Sequence, residues 1–208
     1  MGQDKLWSDV NGKPLIAHTL AAVAAENDFD LVVMAAPRAR WHDIERWTGE
    51  TGMGEVLLVE GGERRQDSVR RALNACTRAE WVCVHDAARP LVTPALIRRV
   101  LAAARETGAA TAGIPSSDTI KVVAGGTVTR TLDRDGLLAT QTPQAFRTEL
   151  LVRAHRAALD DGVSADDDAL LVERIGAPVA VVAGEARNLK VTHPHDLDVV
   201  RALLDSGP

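Results

Sequence analysis

The stretch "WVCVHDAARPLVTPALIRRVL", residues 81–101, predicts a strand that ends on charged residues and leads into a helix. The apolar run Trp81–Val84 stops at His85 and Asp86, and Arg89 follows within the same short turn. In an open parallel sheet, ligands bind beyond the carboxyl ends of the strands. Asp86 and Arg89 therefore predict a site for a polar, phosphate-bearing ligand. The alternative is a structural ion pair that ties the strand to the next helix.

Strands and helices alternate on both sides of this stretch. Short apolar runs predict buried strands at 30–36, 55–60, 109–115 and 178–184, with a shorter one at 189–191. Helical spacing predicts helices within 13–26, 40–50, 67–76, 93–108, 147–162 and 166–176. Their expected boundaries are a cap at Asp67 or Ser68, a stop at Gly108, and a last helix with Thr192 as cap and Pro194 in its first turn. This alternation predicts an α/β fold, a Rossmann-like and mostly parallel sheet flanked by helices.

Residues 119–143 break the alternation. Two β-rich runs, "TIKVV" (119–123) and "TVTRTL" (127–132), surround an Ala-Gly-Gly turn, and this pattern predicts an inserted β-hairpin. Because an isolated two-stranded hairpin is marginal in water, its apolar face needs a partner. We therefore predict a single domain, 1–208, whose arm at 119–143 forms a homodimer.

Composition narrows the classes of function. The chain has 208 residues and a mass of 22.2 kDa, which suits one sizeable domain. Its net charge of −5 argues against a nucleic-acid partner, and no apolar run approaches the roughly 20 residues of a membrane span. Cys76 and Cys83 stand in apolar surroundings, which predicts buried, unpaired thiols and a cytoplasmic location.

Four segments, in order along the chain, carry a family resemblance. They are "GGERRQDSV" (61–69), "HDAARP" (85–90), "LDRDGLLATQTPQAF" (132–146) and "NLKVTHPHDL" (188–197). Together they resemble the 2-C-methyl-D-erythritol 4-phosphate cytidylyltransferases of the non-mevalonate isoprenoid pathway. The resemblance implies transfer of a cytidylyl group from CTP to that polyol phosphate, with release of pyrophosphate and formation of 4-diphosphocytidyl-2-C-methyl-D-erythritol. A similar enzyme for another polyol phosphate, such as ribitol 5-phosphate, is the alternative.

The resemblance also implies the site residues, group by group. The charge-neutralising lysines at the α-phosphate are Lys5 and Lys190. Nucleotide binding falls to Gly62, Glu63, Ser68 and Ala87. The residues that hold the polyol phosphate are Asp86, Arg89 and Thr142, with Thr119 and Arg134 reaching it from the arm of the partner subunit.

The chemistry fits these residue types. A phosphate monoester has a second pKa of about 6 and is largely dianionic at neutral pH, so it needs no general base. The obstacle is its approach to an anionic triphosphate, which lysine, arginine and Mg²⁺ carried with CTP would ease. We expect no protein-built metal site, because His193 and His195 lack further ligands.

Two positions depart from the family pattern. The family opens with a strand and an "AAGxGxRMG" loop that wraps the triphosphate, and Met1-Gly2 aligns with the last two residues of that motif. We expect a form that carries the loop to be faster than the 208-residue chain. A start codon assigned downstream, an omitted N-terminus and a catalytically impaired, nucleotide-binding form remain open. The second departure is Asp166, which replaces a threonine and must point away from an anionic substrate.

Overall fold

The computed structural model describes residues 3–26, 29–53 and 56–207. Its strands are β1 (Asp9–Val10), β2 (Lys13–Pro14), β3 (Val32–Ala36), β4 (Val56–Glu60), β5 (Trp81–Val84), β6 (Ala109–Pro115), β7 (Lys121–Ala124), β8 (Thr127–Thr131), β9 (Leu138–Arg147) and β10 (Ala180–Ala183). Its α-helices are α1 (Leu15–Ala24), α2 (Trp41–Thr51), α3 (Arg65–Ala75), α4 (Pro94–Thr107), α5 (Thr148–Asp160), α6 (Asp168–Arg174) and α7 (Asp196–Asp205). Short 3₁₀ segments span Gln3–Trp7, Arg38–Arg40 and Arg134–Gly136. Over the described ranges, every helix falls short of the length and apolarity that a membrane crossing requires.

The largest sheet has the strand order β10-β6-β9-β5. Strands β6 and β10 run parallel, and β9 lies antiparallel to both of its neighbours. Strands β3 and β4 form a separate parallel pair. Helices flank these strands, so the predicted α/β architecture is confirmed, and β9 adds antiparallel pairings that the sequence did not indicate.

Strand β6 separates two apolar layers because its side chains alternate between its faces. Ala109 packs in the layer of α5 and α6, whereas Ala110 and Ala112 pack in the layer of α4. All three are fully buried. Their small side chains let helices approach the sheet closely from both sides, and this alanine-rich strand therefore holds the core together.

Helix α4 begins and ends as the sequence predicts. Thr93 Oγ1 accepts the Leu96 N–H at 3.1 Å, and Pro94 stands at the first helical position, where its missing N–H costs nothing. Gly108 ends the helix with a φ of 93°, a left-handed conformation that favours glycine. The helix is thus fixed at both ends directly beyond the turn that follows β5.

Strand β9 is the main element that sequence patterns missed. The segment 119–143 was predicted as one arm, but only β7 and β8 pair as a hairpin, while 138–143 belongs to the central sheet. Its polar residues Gln141, Thr142 and Gln144 are buried. A local pattern of polar residues resembles a loop, and only contacts with distant parts of the chain make this segment a strand.

Two predicted helix starts and one predicted strand were wrong. Helix α3 begins at Arg65 with Arg64 as its N-cap, because Ser68 Oγ accepts the Gly62 N–H at 2.9 Å and so serves the preceding loop. Helix α7 begins at Asp196, whose carboxylate accepts the N–H groups of Thr192 and His193 at 2.7 Å, so neither Thr192 nor Pro194 lies in the helix. Residues 189–191 form no strand, and the backbone hydrogen bond from the Val191 N–H to the Ala88 carbonyl at 2.9 Å replaces the predicted strand pairing.

A cleft of about 600 Å³ separates β3 from β5. Strand edges border it on two sides and helices α1, α3 and α4 border it on the others, with Val33, Val69, Cys83 and Ile97 among its lining residues. Both strands were predicted to be buried, but β5 and most of β3 are only half-buried because they face this open space. Cys76 and Cys83 also line the cleft and are half-buried rather than buried, and both are unpaired.

Candidate active site

The turn after β5 is fixed by hydrogen bonds to the imidazole of His85. His85 Nε2 lies 3.1 Å from the Arg89 carbonyl oxygen, which can only accept, so Nε2 carries the proton. Nδ1 then accepts from Thr142 Oγ1 at 3.2 Å, and the same Oγ1 accepts the Asp86 N–H at 2.9 Å. Burial lowers the pKa of His85 from 6.5 to about 4, which favours this neutral form. Asp86 is therefore presented by a preorganised backbone.

A loop from the far end of the chain closes over this turn. Asn188 is fully buried, its Nδ2 donates to the Thr142 carbonyl at 2.9 Å, and its carbonyl accepts from Arg89 Nη1 at 2.8 Å. The bond between the Val191 N–H and the Ala88 carbonyl completes the closure. Lys190, which lies between these two anchors, is thereby brought to the carboxyl end of β5.

The Asp86 carboxylate lies among three cations. Oδ1 accepts from Arg65 Nε at 2.8 Å, Oδ2 is 2.8 Å from Lys190 Nζ, and Arg89 Nε is 4.0 Å from Oδ2. Burial by itself would raise the pKa of Asp86, but the charges of Arg65 and Lys190 outweigh it and hold the pKa far below its usual range. The carboxylate is therefore ionised and acts only as an acceptor.

Most hydrogen-bond donors of Arg89 contact other parts of the protein. Its side chain is 9% exposed, Nη1 donates to the Asn188 carbonyl, and Nη2 donates to the Thr140 carbonyl at 3.3 Å. Burial lowers its pKa, and nearby Asp86 opposes that change. Most of the guanidinium therefore holds the Asn188 loop and strand β9 in place, and the closer partners of Asp86 are Arg65 and Lys190.

Two lysines come together at this end of the sheet. Burial lowers the pKa of Lys5, the positive charge of Lys190 lowers it further, and Asp86 and Asp196 act in the opposite direction. The Lys190 side chain is 41% exposed and so remains accessible beside Asp86. Two neighbouring ammonium groups form a favourable position for a phosphate oxygen.

The loop between β4 and α3 forms the adjacent wall. The Gly61 N–H donates to the Ala36 carbonyl at 3.1 Å, and Gly62 bonds to Ser68 Oγ as described above. A Cβ at Gly62 would lie 2.9 Å from the Asp67 carbonyl carbon, so only glycine fits this turn. The tight turn and a base-binding role are compatible, because both need backbone that is unobstructed by a side chain.

Comparisons with known proteins identify the family. Residues 1–206 match the family described as 2-C-methyl-D-erythritol 4-phosphate cytidylyltransferase. The protein of that name from Bacillus cytotoxicus is 42% identical over 204 residues, which cover 98% of this chain and 90% of the relative. The chain belongs to the 2-C-methyl-D-erythritol 4-phosphate cytidylyltransferase family.

Solved structures of cytidylyltransferases in this family share the fold. The Thermus thermophilus enzyme superposes with a TM-score of 0.82 at 40% identity, covering 97% of this chain and 94% of the other. A 4-diphosphocytidyl-2C-methyl-D-erythritol synthase from Anaerococcus prevotii gives a TM-score of 0.88 at 28% identity, with the same two coverages. The predicted class, a nucleotidyltransferase, is confirmed by this membership.

The cytidylyltransferase site predicted from sequence is brought together in part. Ser68, Asp86 and Ala87 line one cleft, and Lys190 contacts Asp86 directly. The others near Asp86 are Lys5, Arg89 and Thr142, and Gly62 lies in the adjacent wall beside the exposed Glu63.

Thr119 and Arg134 lie apart from this group. Both are exposed at the base of the β7–β8 hairpin, and Arg134 Nη1 donates to the Ser117 carbonyl at 3.2 Å. Their predicted route to the site passes through a second subunit, so their role stays a prediction.

Sequence reasoning missed a set of residues behind Asp86. Arg65 stands within the quoted segment 61–69 but was assigned no role, although it is the nearest guanidinium to Asp86. The sequence predicts Asp168 only as part of the helix within 166–176, yet its side chain is 1% exposed and pairs with Arg65 at 2.8 Å. His155 lies behind Asp168 at 2.9 Å. The signal that was available is Arg65 itself, an arginine at a predicted loop-to-helix junction.

No protein-built metal site appears in the part of the chain that the structure describes. Those residues contain no cluster of three or more His, Cys, Asp or Glu side chains that could hold a metal ion. His193 and His195 stack with their ring centroids 5.5 Å apart, and His195 lies 3.3 Å from Asp196. Asp166, the family departure, is exposed to solvent.

Proposed function

We propose that this chain transfers the cytidylyl group of CTP to 2-C-methyl-D-erythritol 4-phosphate, and so takes part in isoprenoid biosynthesis. The observation that carries the proposal is an ionised carboxylate flanked by Lys190 and Arg65 at the carboxyl end of β5, in a chain of this family. Such a site offers an acceptor for substrate hydroxyl groups beside donors for phosphate oxygens.

The reaction needs charge neutralisation rather than a base. A phosphate oxygen of the polyol phosphate attacks the α-phosphorus of CTP, a new P–O bond forms, and the bond from the α-phosphorus to the bridging oxygen breaks with release of pyrophosphate. The attacking phosphate is largely dianionic near neutral pH. We assign Lys5 and Lys190 to the negative charge that builds up around the α-phosphorus.

Substrate binding is assigned to the remaining predicted residues. Asp86 accepts polyol hydroxyl groups, and Thr142 and Arg89 fix its backbone and surroundings. The loop residues Gly62 and Glu63 provide backbone groups for the cytosine ring. Ser68 and Ala87 complete the nucleotide side of the site.

We propose that Mg²⁺ binds together with CTP and is not held by the protein as a resident ion. Asp86, the carboxylate next to the two lysines, is already paired with Arg65 and Lys190, and the described residues provide no metal cluster. Mg²⁺ is commonly bound by substrate phosphates with few protein ligands.

The homodimer rests on the hairpin. Val123 and Val128 are 56% and 55% exposed on β7 and β8, and Ile120 and Val122 are also exposed. We propose that this apolar surface packs against a second copy, in which Thr119 and Arg134 approach the other site. The arm remains part of one domain, 1–208.

We also propose a cytoplasmic location, because the free thiols Cys76 and Cys83 suit a reducing compartment.

Pyrophosphate release tests the proposal. With CTP, Mg²⁺ and 2-C-methyl-D-erythritol 4-phosphate, the protein is expected to release pyrophosphate and form the CDP-polyol, detected by ³¹P NMR. Ribitol 5-phosphate is the control acceptor and is expected to react far more slowly. Faster reaction with ribitol 5-phosphate would reassign the substrate, and absence of reaction with both would reject the activity.

A further inference from the structure

A chain of paired polar side chains runs from the candidate site into the interior. Lys190 pairs with Asp86, Asp86 with Arg65, Arg65 with Asp168, and Asp168 with His155, each across 2.8 to 2.9 Å. The side chains of Lys190, Asp86 and Arg65 are 41%, 12% and 26% exposed, whereas those of Asp168 and His155 are 1% and 2% exposed. Asp86 thus lies between an exposed lysine and a group of residues whose inner members, Asp168 and His155, are buried.

The orientation of the Arg65 side chain is fixed by two contacts and not by one. Nε donates to Asp86 Oδ1 and Nη1 donates to Asp168 Oδ2. Two carboxylates therefore accept hydrogen bonds from different atoms of one rigid, planar guanidinium. Asp86 is likewise held by two partners, since Oδ1 contacts Arg65 and Oδ2 contacts Lys190. Without Asp168, Arg65 would keep one anchor and could rotate.

Asp168 is itself held firmly. His155 Nε2 donates to its Oδ1 at 2.9 Å, because a carboxylate can only accept. Its backbone N–H donates to Gln144 Oε1 at 3.2 Å. The neighbouring Asp167 caps α6 by accepting the Leu170 N–H at 2.9 Å. The helix therefore has its own cap, and Asp168 is free for another purpose.

We propose that Asp168, held by His155, is a positioning residue that fixes Arg65 and thereby orients Asp86 toward the hydroxyl groups of the polyol phosphate. This inference rests on the proposed function, because it assigns Asp86 to that substrate. Burying ion pairs costs desolvation free energy, and well-packed apolar residues often serve stability at least as well. A buried charged unit placed directly behind a substrate carboxylate is therefore suited to orientation.

Substrate-selective kinetics test the role. Asp168→Asn keeps the shape of the side chain but removes the negative charge that pairs with Arg65. The Michaelis constant for the polyol phosphate is expected to rise on the order of tenfold to a hundredfold, as for a displaced substrate-positioning group. The Michaelis constant for CTP should stay within about threefold of the wild-type value. His155→Gln, which keeps an N–H donor, should resemble the wild type more than His155→Leu does.

Asp167→Asn is the matched control, because it removes the adjacent carboxylate that caps α6 without touching Arg65. Because an asparagine oxygen can still accept the Leu170 N–H, Asp167→Asn is expected to keep the helix cap and to leave the ratio of the two Michaelis constants unchanged. The positioning role is wrong if Asp167→Asn shifts that ratio as much as Asp168→Asn does, or if both constants rise together in Asp168→Asn.

A spectroscopic measurement separates this inference from the proposed function. In ¹⁵N NMR, the Arg65 Nε–H, assigned by its loss in Arg65→Lys, is expected as a sharp signal in the wild type and in Asp167→Asn. It should broaden or exchange rapidly in Asp168→Asn, even if the wild type transfers no cytidylyl group. An equally sharp signal in a folded Asp168→Asn protein would overturn the inference, whatever the activity.

Discussion

Asp86 keeps its negative charge in a half-enclosed site because cations reach both of its oxygens. Arg65 faces Oδ1 and Lys190 faces Oδ2, each at 2.8 Å. Arg65 is held from behind, while Lys190 is 41% exposed on a loop. Lys190 is therefore the cation that can turn from Asp86 toward a phosphate oxygen, and its replacement should affect the chemical step more than the fold.

Lys190→Ala is expected to lower kcat on the order of 10² to 10³, which is typical for loss of one preorganised charge. Lys190→Arg should restore only part of the rate, because a planar fork cannot occupy the position of a compact ammonium group. Steady-state kinetics beside a thermal melt measure this. Lys13→Ala is the control, since Lys13 is exposed above the Trp47 ring. A near-normal kcat in Lys190→Ala would remove Lys190 from the chemical step.

His85 should make stability depend on pH. Its pKa is 6.5 when unperturbed and about 4 in the folded protein, since burial disfavours the charged form. The unfolded chain therefore binds a proton first as the pH falls, so this stability is complete above about pH 6.5 and is lost toward pH 4. The free energy of unfolding should fall by about 2 kcal/mol between about pH 7.5 and about pH 5.

Urea unfolding at the two pH values measures this loss. His85→Gln keeps a donor for the Arg89 carbonyl and is expected to remove the pH-dependent part. His42→Gln changes an exposed histidine on α2 and should leave that part intact. An unchanged pH dependence in His85→Gln would place the titrating group elsewhere.

Sequence motifs led to Asp86 and Lys190 but not to Asp168. A charged residue at the end of an apolar run, such as Asp86, can be recognised within one short segment. The resemblance of that segment to a family pattern then suggests the role of the residue. The Arg65–Asp168 pair spans 103 positions, so no local pattern contains it. Asp168 also lies in a run of three aspartates, in which helix capping by Asp167 is a sufficient local explanation.

At the scale of elements, periodicity predicted the strands and helices whose faces are uniformly apolar. It missed β9, where Gln144 is 1% exposed. Gln144 Nε2 donates to Thr111 Oγ1 and Asp167 Oδ2, and Oε1 accepts from the first residues of α6. In sequence, a buried amide whose partners lie in two distant segments looks like a loop residue, because those partners are remote.

Gln144→Leu is expected to lower the free energy of unfolding by about 2 to 4 kcal/mol, because it leaves several buried polar groups unpaired. Chemical denaturation measures the change. Thr140→Ala, on the exposed part of the same strand, should alter stability by no more than about 0.5 kcal/mol. A loss as small as that of Thr140→Ala would show that water replaces the amide at no cost.

At the scale of the whole molecule, the β7–β8 hairpin concentrates exposed apolar side chains on a single pair of strands. Light scattering is expected to give about 44 kDa, twice the mass of one chain, as for a closed two-fold dimer. Replacing Val123 and Val128 with lysine should produce the 22.2 kDa monomer, because charges would be buried in the interface.

Val181→Lys is the control for that experiment. Val181 is 56% exposed on β10, outside the hairpin, so its replacement should leave the dimer intact. A dimer that survives both hairpin lysines would transfer the interface to another surface and withdraw Thr119 and Arg134 from the site.

The place of β9 also sets the order in which the chain can fold during synthesis. Strands β5 and β6 leave the ribosome early, but each pairs with β9 and not with the other. They must wait, with their edges open, until residues 138–147 emerge and enter between them. Such non-local pairing slows folding and leaves strand edges open to other chains. Yield in cells should accordingly depend on translation speed and chaperone supply over that interval.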